Sequence, residues 1–173
     1  LWAQNNGVST EQVTGLVDIG ATKTTINIVQ GTISNFSREV YIGSNDMATA
    51  IAKRFGESNP TAEGYLRSPE ENYDTIREAI TPTLEDIGNE IRLSIDFYEN
   101  QFEIDVSEIY VSGGITRFPD LTDLLGQIFF LTTKSWNPVD GLSIGPEVDR
   151  SKLDAEAPHL AIAVGLASRV QGA

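Results

Sequence analysis

Nine apolar residues, Tyr73, Ile76, Ile80, Leu84, Ile87, Ile91, Ile95, Tyr98 and Phe102, follow one another at steps of 3, 4, 4, 3, 4, 4, 3 and 4. That is the α-helical period with one apolar face, so this stretch is one long amphipathic helix or two in line. Pro82 lies inside it and is expected either to kink the helix or to start a new one, with Thr81 as N-cap and Pro82 at the tolerated first position. The region from Pro60 to Ser107 carries 12 of the 25 acids and no Lys, which makes the outer face of the helix acidic and solvated. The rest of the chain has the material to cover the stripe. It has 173 residues with 40% hydrophobic and 8% aromatic content, enough for one domain burying roughly 70% of its unfolded surface.

What precedes the helix has a different period. Val13-Thr14-Gly15-Leu16-Val17-Asp18-Ile19-Gly20 is an apolar run broken by Asp and Gly, and Thr24 to Val29 alternates with period two. Two strands joined by a tight turn fit this pattern. After Gln30-Gly31-Thr32, the alternation of Phe36, Arg38, Val40 and Ile42 with Ser37, Glu39 and Tyr41 predicts a third strand. Gly43 to Asp46 supplies cap residues for a helix carrying Met47, Ala48, Ile51, Ala52 and Phe55, which stops at Gly56. Thr61 to Arg67 can be helical, and Ser68-Pro69 is a turn.

Beyond the long helix, Ile109 to Ser112 reads as a buried strand running into Gly113-Gly114, and Pro119 to Phe130 as a helix with Asp120 and Asp123 in its first turn. Thr132 to Trp136 is a further strand candidate, and Asn137 to Ala157 is polar and reads as a loop. Pro158 to Val170 is the last helix, with Leu160, Val164 and Ala167 on its inner stripe. The order is β, β, β, α, a helical insert, β, α, β, α: one α/β domain over 1–173 with an inserted, mainly helical subdomain over about 57–106.

Charge and residue types exclude several functions. Twelve Lys and Arg against 25 Asp and Glu leave a formal net charge of -13, which repels nucleic-acid backbones and anionic membrane surfaces. There is no Cys and one His, so a thiol nucleophile, a thiolate zinc site and a multi-histidine metal site are ruled out. No apolar run approaches the ~20 residues of a membrane span, and direct membrane insertion is not expected. The chain opens on Leu1 without a signal-peptide pattern and reads as a cytoplasmic piece of something longer.

Two short strings have the form of ligand sites. Asp18-Ile19-Gly20-Ala21-Thr22-Lys23-Thr24 places a Gly-containing turn between two strands, where backbone N–H groups can meet a polyphosphate. Thr22 and Thr24 add hydroxyls there, and Asp18 can hold Mg2+ through water. A plain hairpin with a polar turn is the alternative. Ser112-Gly113-Gly114-Ile115-Thr116-Arg117 follows a buried strand, where paired glycines let the backbone lie flat against a ring or sugar. A simple turn fits it too, and neither a P-loop nor the dinucleotide fingerprint is present. Glu63 and Arg67 have the spacing of an ordinary surface ion pair. Lys23 reads as solvated, His159 as structural and Trp136 as core.

Taken in order, Asp18 to Thr24, Arg38-Glu39-Val40-Tyr41-Ile42-Gly43, Ala62-Glu63 with Arg67, Glu90 to Tyr98, Val111-Ser112-Gly113-Gly114, Asn137-Pro138 and Ala163-Val164-Gly165-Leu166-Ala167 resemble the C-terminal lobe of the PilM family. These are actin-like type IV pilus assembly proteins related to FtsA and to the actin, Hsp70 and sugar-kinase superfamily. The resemblance runs from about Val13 to Ala167 and implies an actin-like (ribonuclease H-like) ATPase lobe, with a three-stranded antiparallel meander extended by further strands. It also implies that Asp18, Gly20, Ala21, Thr22, Lys23 and Thr24 form the second phosphate motif, and that Gly113, Gly114 and Ile115 form the adenosine motif. By the same resemblance Glu63 and Arg67 line the adenine pocket, Glu90 and Ser94 lie near the base or ribose, and the cofactors are ATP and Mg2+. Arg67 stands where the family more often has Lys, and Ala21 where many actin-like ATPases have Gly.

The resemblance further implies a scaffold in the cytoplasm, peripheral to the inner membrane. Its partners would be other pilus-platform components and the cytoplasmic peptide of a PilN-type inner-membrane protein. Actin-like ATPases clamp nucleotide between two lobes, and only one D-x-G hairpin of that kind is present here. The chain is therefore expected to be a single lobe that does not hydrolyse ATP alone, with Leu1 to Asn6 as the tail of the helix leading into it. An FtsA-type lobe would end in a basic amphipathic helix, which Ala167 to Ala173 does not spell. A sugar or carboxylate kinase would share the phosphate motifs.

Overall fold

The computed structural model describes residues 9–170, so the expected tail at Leu1 to Asn6 and the last three residues lie outside the described residues. β1 (Val13–Ile19), β2 (Thr24–Gln30) and β3 (Ile33–Val40) form the expected antiparallel meander, with Val13 opposite Gln30 and Ile19 opposite Thr24 in the first pair. β4 (Glu108–Ser112) runs parallel to β1, and β5 (Thr132–Ser135) parallel to β4, giving the order β3-β2-β1-β4-β5. Alternation sends Val17, Ile19, Ile26, Ile28, Ile109 and Val111 into a common apolar cluster on one face. Leu16, Thr25, Asn27 and Tyr110 stay half-buried on the other.

β3 starts three residues earlier than its alternation suggests. A bulge opposite Ile28 and Val29 inserts Asn35, which shifts the period and hides the beginning of the strand. α1 (Ser44–Phe55) ends at Gly56 in the left-handed region (φ 71°), and α2 (Asn59–Arg67) starts with Pro60 in its first turn. A short 3-10 turn, Glu70–Asn72, leads into α3 (Tyr73–Phe102).

α3 is one unbroken helix of 30 residues through Pro82, neither restarted nor capped there. The Thr81 hydroxyl donates back to the Arg77 carbonyl at 2.7 Å, a bond inside the helix rather than a forward cap. Ile76 and Ile80 before the proline, and Leu84 and Ile87 after it, are buried in the same core. That packing holds the axis across the missing backbone bond. Ala62 and Leu66 of α2 and the α3 stripe join the sheet residues in one contiguous cluster, so segment 57–106 shares the core of the sheet.

α4 (Leu121–Phe129) begins two residues later than expected, with Asp120 as its N-cap at φ 57°. The stretch from Asn137 to Ala157 is not wholly loop, because α5 (Arg150–Glu156) forms within it, capped by the Asp149 carboxylate accepting from the Lys152 amide at 3.2 Å. No residue of α5 is buried, so no apolar stripe announces it. α6 (Ala161–Val170) starts after a 3-10 turn, Ala157–His159. Ala161 makes its buried contact, Leu160 and Val164 are half-buried, and Ala167 is exposed rather than inward. Among the described residues no helix is long and apolar enough to cross a membrane.

Candidate functional site

The turn from Gly20 to Lys23 is closed by the Gly20 amide donating to the Lys23 carbonyl at 3.0 Å. Its carbonyl side is taken by α1, where the Ser44 amide donates to Gly20 and the Asn45 amide to Ala21, each at 2.9 Å. Gly43 permits this approach, since a Cβ there would lie 2.5 Å from the Ala21 oxygen and 2.6 Å from the Gly20 oxygen. With the carbonyls facing α1, the amides of Ala21 and Thr22 have no acceptor among the described residues. Successive turn amides without acceptors are the kind of donors that can bind an anion.

Parallel pairing puts Asp18 beside Ser112 at the carboxyl ends of β1 and β4, and the Ser112 hydroxyl donates to the Asp18 carboxylate at 2.7 Å. Gly113 then turns the chain with φ 104° and ψ 160°, its amide donating to the Pro158 carbonyl at 3.1 Å. A Cβ on Gly113 would overlap the Ile19 backbone. Gly114 opens a 3-10 turn, Gly114–Arg117, and the His159 imidazole lies directly over it.

These pieces surround one cleft of about 340 Å³. Asp18, Gly20 and Ala21 line one side, Gly113, Gly114 and Ile115 another, and Glu63 and Arg67 of α2 reach it from a third. Eight expected site residues are thus brought together from three chain segments. Glu63 and Arg67, despite their spacing, form no ion pair with each other among the described residues.

The other five do not line the cleft. Thr22 is exposed on the turn. Lys23 is also exposed, with its ammonium 2.5 Å from Glu39, whose hydrogen bond holds the amine above its ordinary pKa. Thr24 is fully buried and donates to the Ile42 carbonyl at 2.8 Å, so its hydroxyl serves the turn. Glu90 and Ser94 face β3, where Arg38 donates to the Glu90 carboxylate at 2.5 Å and to the Ser94 hydroxyl at 3.3 Å. The C-terminal half of α3 lies against β3, the edge strand two places over from the β1 that carries Asp18.

Several lining residues carried no readable signal. Ser44 and Asn45 enter because α1 caps the turn, and His159 and Ile162 because the last helix folds back over Gly114. Arg117 also lines the cleft. Its Nη2 is buried without a hydrogen-bond partner, and the Glu156 carboxylate, at 3.9 Å, is its ion-pair contact. Arg67 and Arg117 offset Asp18 and Glu63, so the cleft is close to neutral in a chain of net charge -13. No group of three or more acidic or histidine side chains able to hold a metal exists among the described residues.

The arrangement has relatives. A family model described as type IV pilus assembly protein PilM matches residues 4–171. The solved PilM-PilN type IV pilus biogenesis complex is similar with a TM-score of 0.83 and 26% identity, over 98% of this chain and 49% of that one. MreB5 of Spiroplasma citri bound to AMPPNP is similar with a TM-score of 0.66 and 15% identity, over 98% and 58% of the two chains. Ta0583, an archaeal actin homolog in complex with ADP, follows with a TM-score of 0.63 and 18% identity, over 97% and 54%. The last two similarities bear on the fold, which is actin-like. The chain spans about half the length of these structures.

Proposed function

The chain belongs to the type IV pilus assembly protein PilM family, and on that premise we propose that it is the ATP-binding lobe of a cytoplasmic actin-like scaffold. That scaffold serves the inner-membrane platform of a type IV pilus or type II secretion machine. The observation that carries the nucleotide reading is the convergence of the Gly20–Ala21 turn, the paired glycines and the Glu63–Arg67 helix face on one cleft.

The residues present fit an anionic nucleotide. An anion would give the Ala21 and Thr22 amides acceptors, and would give Arg67 a counter-charge that it lacks among the described residues. The Arg117 Nη2, without a hydrogen-bond partner among the described residues, is a further donor at the cleft wall. Ser112 holds the Asp18 carboxylate by one oxygen, leaving the other to orient water around Mg2+. Without a protein cage of three carboxylates, the ion would be shared between Asp18, water and phosphate, as suits a cation that dehydrates reluctantly. Bound there, Mg2+ neutralises phosphate charge. Gly114 and Ile115 offer a backbone and an apolar wall to the adenosine, with Glu63 opposite for the base edge.

The partner reading rests on the similarity to a PilM assembled with PilN. A PilN-type inner-membrane protein would dock through its cytoplasmic peptide on the half of the neighbours' length that this chain does not span, tethering the lobe to the membrane indirectly. Calorimetric titration of ATP with Mg2+ into a protein carrying both halves tests the nucleotide reading. Arg67→Ala should weaken affinity roughly tenfold, the scale of a charge-assisted hydrogen bond. Wild-type protein that binds no ATP, or an unchanged affinity in the variant with unchanged circular dichroism, removes the assignment.

A further inference from the structure

The only histidine of the chain stands in the cleft on a fixed backbone. The Gly113 amide donates to the Pro158 carbonyl at 3.1 Å, which sets the residue after Pro158 against the residue after Gly113. On the far side the Leu160 amide closes the 3-10 turn onto the carbonyl of the buried Ala157 at 2.9 Å. The backbone is thus tied down on both sides of His159. Its side chain is not. The imidazole is exposed, and neither ring nitrogen has a hydrogen-bond partner among the described residues.

Gly114 is fitted to this ring. Its φ is not positive, so its own backbone does not demand glycine. The three atoms nearest to where a Cβ would lie all belong to the imidazole, Cε1 closest and Nδ1 and Nε2 both at 2.9 Å. Equal distances to the two nitrogens mean that the ring stands on Gly114 by its Cε1 corner, with its faces turned to the sides. The imidazole fills the space that Gly114 leaves open, so a ligand on this side of the cleft meets the ring before it meets the Gly114 backbone.

Two further features lie beside the ring. Ile162, three residues on, is 63% exposed and lines the cleft with it. Arg117 ends the 3-10 turn that Gly114 opens, and its Nη2 is buried without a hydrogen-bond partner among the described residues. The Glu156 carboxylate is 3.9 Å from that nitrogen, beyond hydrogen-bond reach. A flat ring, an aliphatic side chain and an unsatisfied donor match what a heteroaromatic base asks for: a face to stack on, an apolar edge and a donor for a ring nitrogen. The turn that carries Gly20 and Ala21 lines a different side of the cleft.

We infer that His159 is the platform on which the nucleotide base stacks, an inference that rests on the nucleotide reading of the cleft. The base lies against one face of the imidazole, and Gly114 serves the site by seating that ring. Stacking asks only for a π face, so the platform takes either purine and favours both over the smaller pyrimidine ring.

The test uses the chain as it stands, whose single histidine gives one Cε1–H resonance. At about pH 8.5 an ordinary imidazole is neutral, so phosphate charge does not move the signal through protonation. ATP with Mg2+ should shift this resonance upfield, by the ring current of a stacked base, and tripolyphosphate with Mg2+ should not. In His159→Ala the affinity for ATP should fall about fivefold, and in His159→Phe it should stay within about twofold of wild type. The response to tripolyphosphate should be the same in all three proteins. The side chain is exposed and unbonded, so both variants are expected to fold.

ATP that shifts the amides of the Gly20–Lys23 turn but not the His159 resonance overturns the inference and leaves the nucleotide reading standing. Full ATP affinity in His159→Ala does the same. A loss that phenylalanine does not restore makes the imidazole a hydrogen-bonding group, and equal losses for ATP and tripolyphosphate make it a phosphate ligand; either overturns the stacking role. No shift at any residue on addition of ATP removes the nucleotide reading itself, and this inference with it.

Discussion

Gly113 and Gly114 are neighbours with different reasons for being glycine. At φ 104° and ψ 160°, Gly113 occupies a region essentially closed to other residues, and a Cβ would strike the Ile19 carbonyl. Gly113→Ala should therefore cost roughly 3 kcal/mol of stability in urea unfolding. Gly114 meets only the tip of the His159 side chain, which can move aside. Gly114→Val should leave stability within about 1 kcal/mol yet weaken ATP binding in the protein with both halves, as calorimetry would show. Tyr73 makes a pH prediction. Its phenol, partly buried, donates to the Asp120 carboxylate at 3.1 Å, and burial first, then that acceptor, hold its pKa above the ordinary value. A raised folded pKa gives stability that is complete below about pH 10. It is lost as pH climbs through the folded value. The stability difference between wild type and Tyr73→Phe should be flat, near 1 kcal/mol, at neutral pH and shrink above about pH 10.

At the scale of elements, α3 shows how packing overrides a local signal. Pro82 is exposed and deprives the Glu78 carbonyl of its helical donor, yet the buried stripe on either side keeps one axis. Restoring the amide should therefore stabilise the chain without moving anything. Pro82→Ala is expected to raise unfolding free energy by about 1 to 3 kcal/mol, read from the denaturant midpoint at constant m-value. No gain would mean that α3 is already adapted to the break. β3 and α5 are the complementary cases. One is blurred by a bulge and the other has no buried side to mark it.

For the whole molecule, the continuity of the core decides the unfolding behaviour. Residues from α2 and α3 share one cluster with the sheet, so the chain should melt in a single cooperative transition, with calorimetric and van't Hoff enthalpies in agreement. Two transitions would show that segment 57–106 is a separate unit. The cleft is lined by this chain alone, which spans 49% of the PilM chain in the PilM-PilN complex. Phosphates in a cleft that no opposing half closes remain largely in water, where each contact replaces a good solvent interaction. The chain alone is expected to bind ATP at roughly millimolar affinity or worse, with phosphate release at background because water is not excluded. Micromolar affinity with steady turnover would make the single lobe self-sufficient.

The meander, the long helix and the two glycine-bearing turns were legible in the sequence because each is a local pattern: period two, period 3.6, and a residue type required by backbone geometry. The family resemblance added Glu63 and Arg67, whose spacing alone fits a surface pair equally well. Their joint position on the cleft came only with the tertiary structure, since it depends on α2 folding back toward strand ends some 45 residues away in either direction. The same long-range packing sent Glu90 and Ser94 to Arg38 instead. It also carried the only histidine onto Gly114 and left the buried Arg117 Nη2 without a hydrogen-bond partner among the described residues. Periodicity reports which face of an element is buried. Which elements meet at that face is settled by how the whole chain closes its core, and the composition of the cleft follows from that closure.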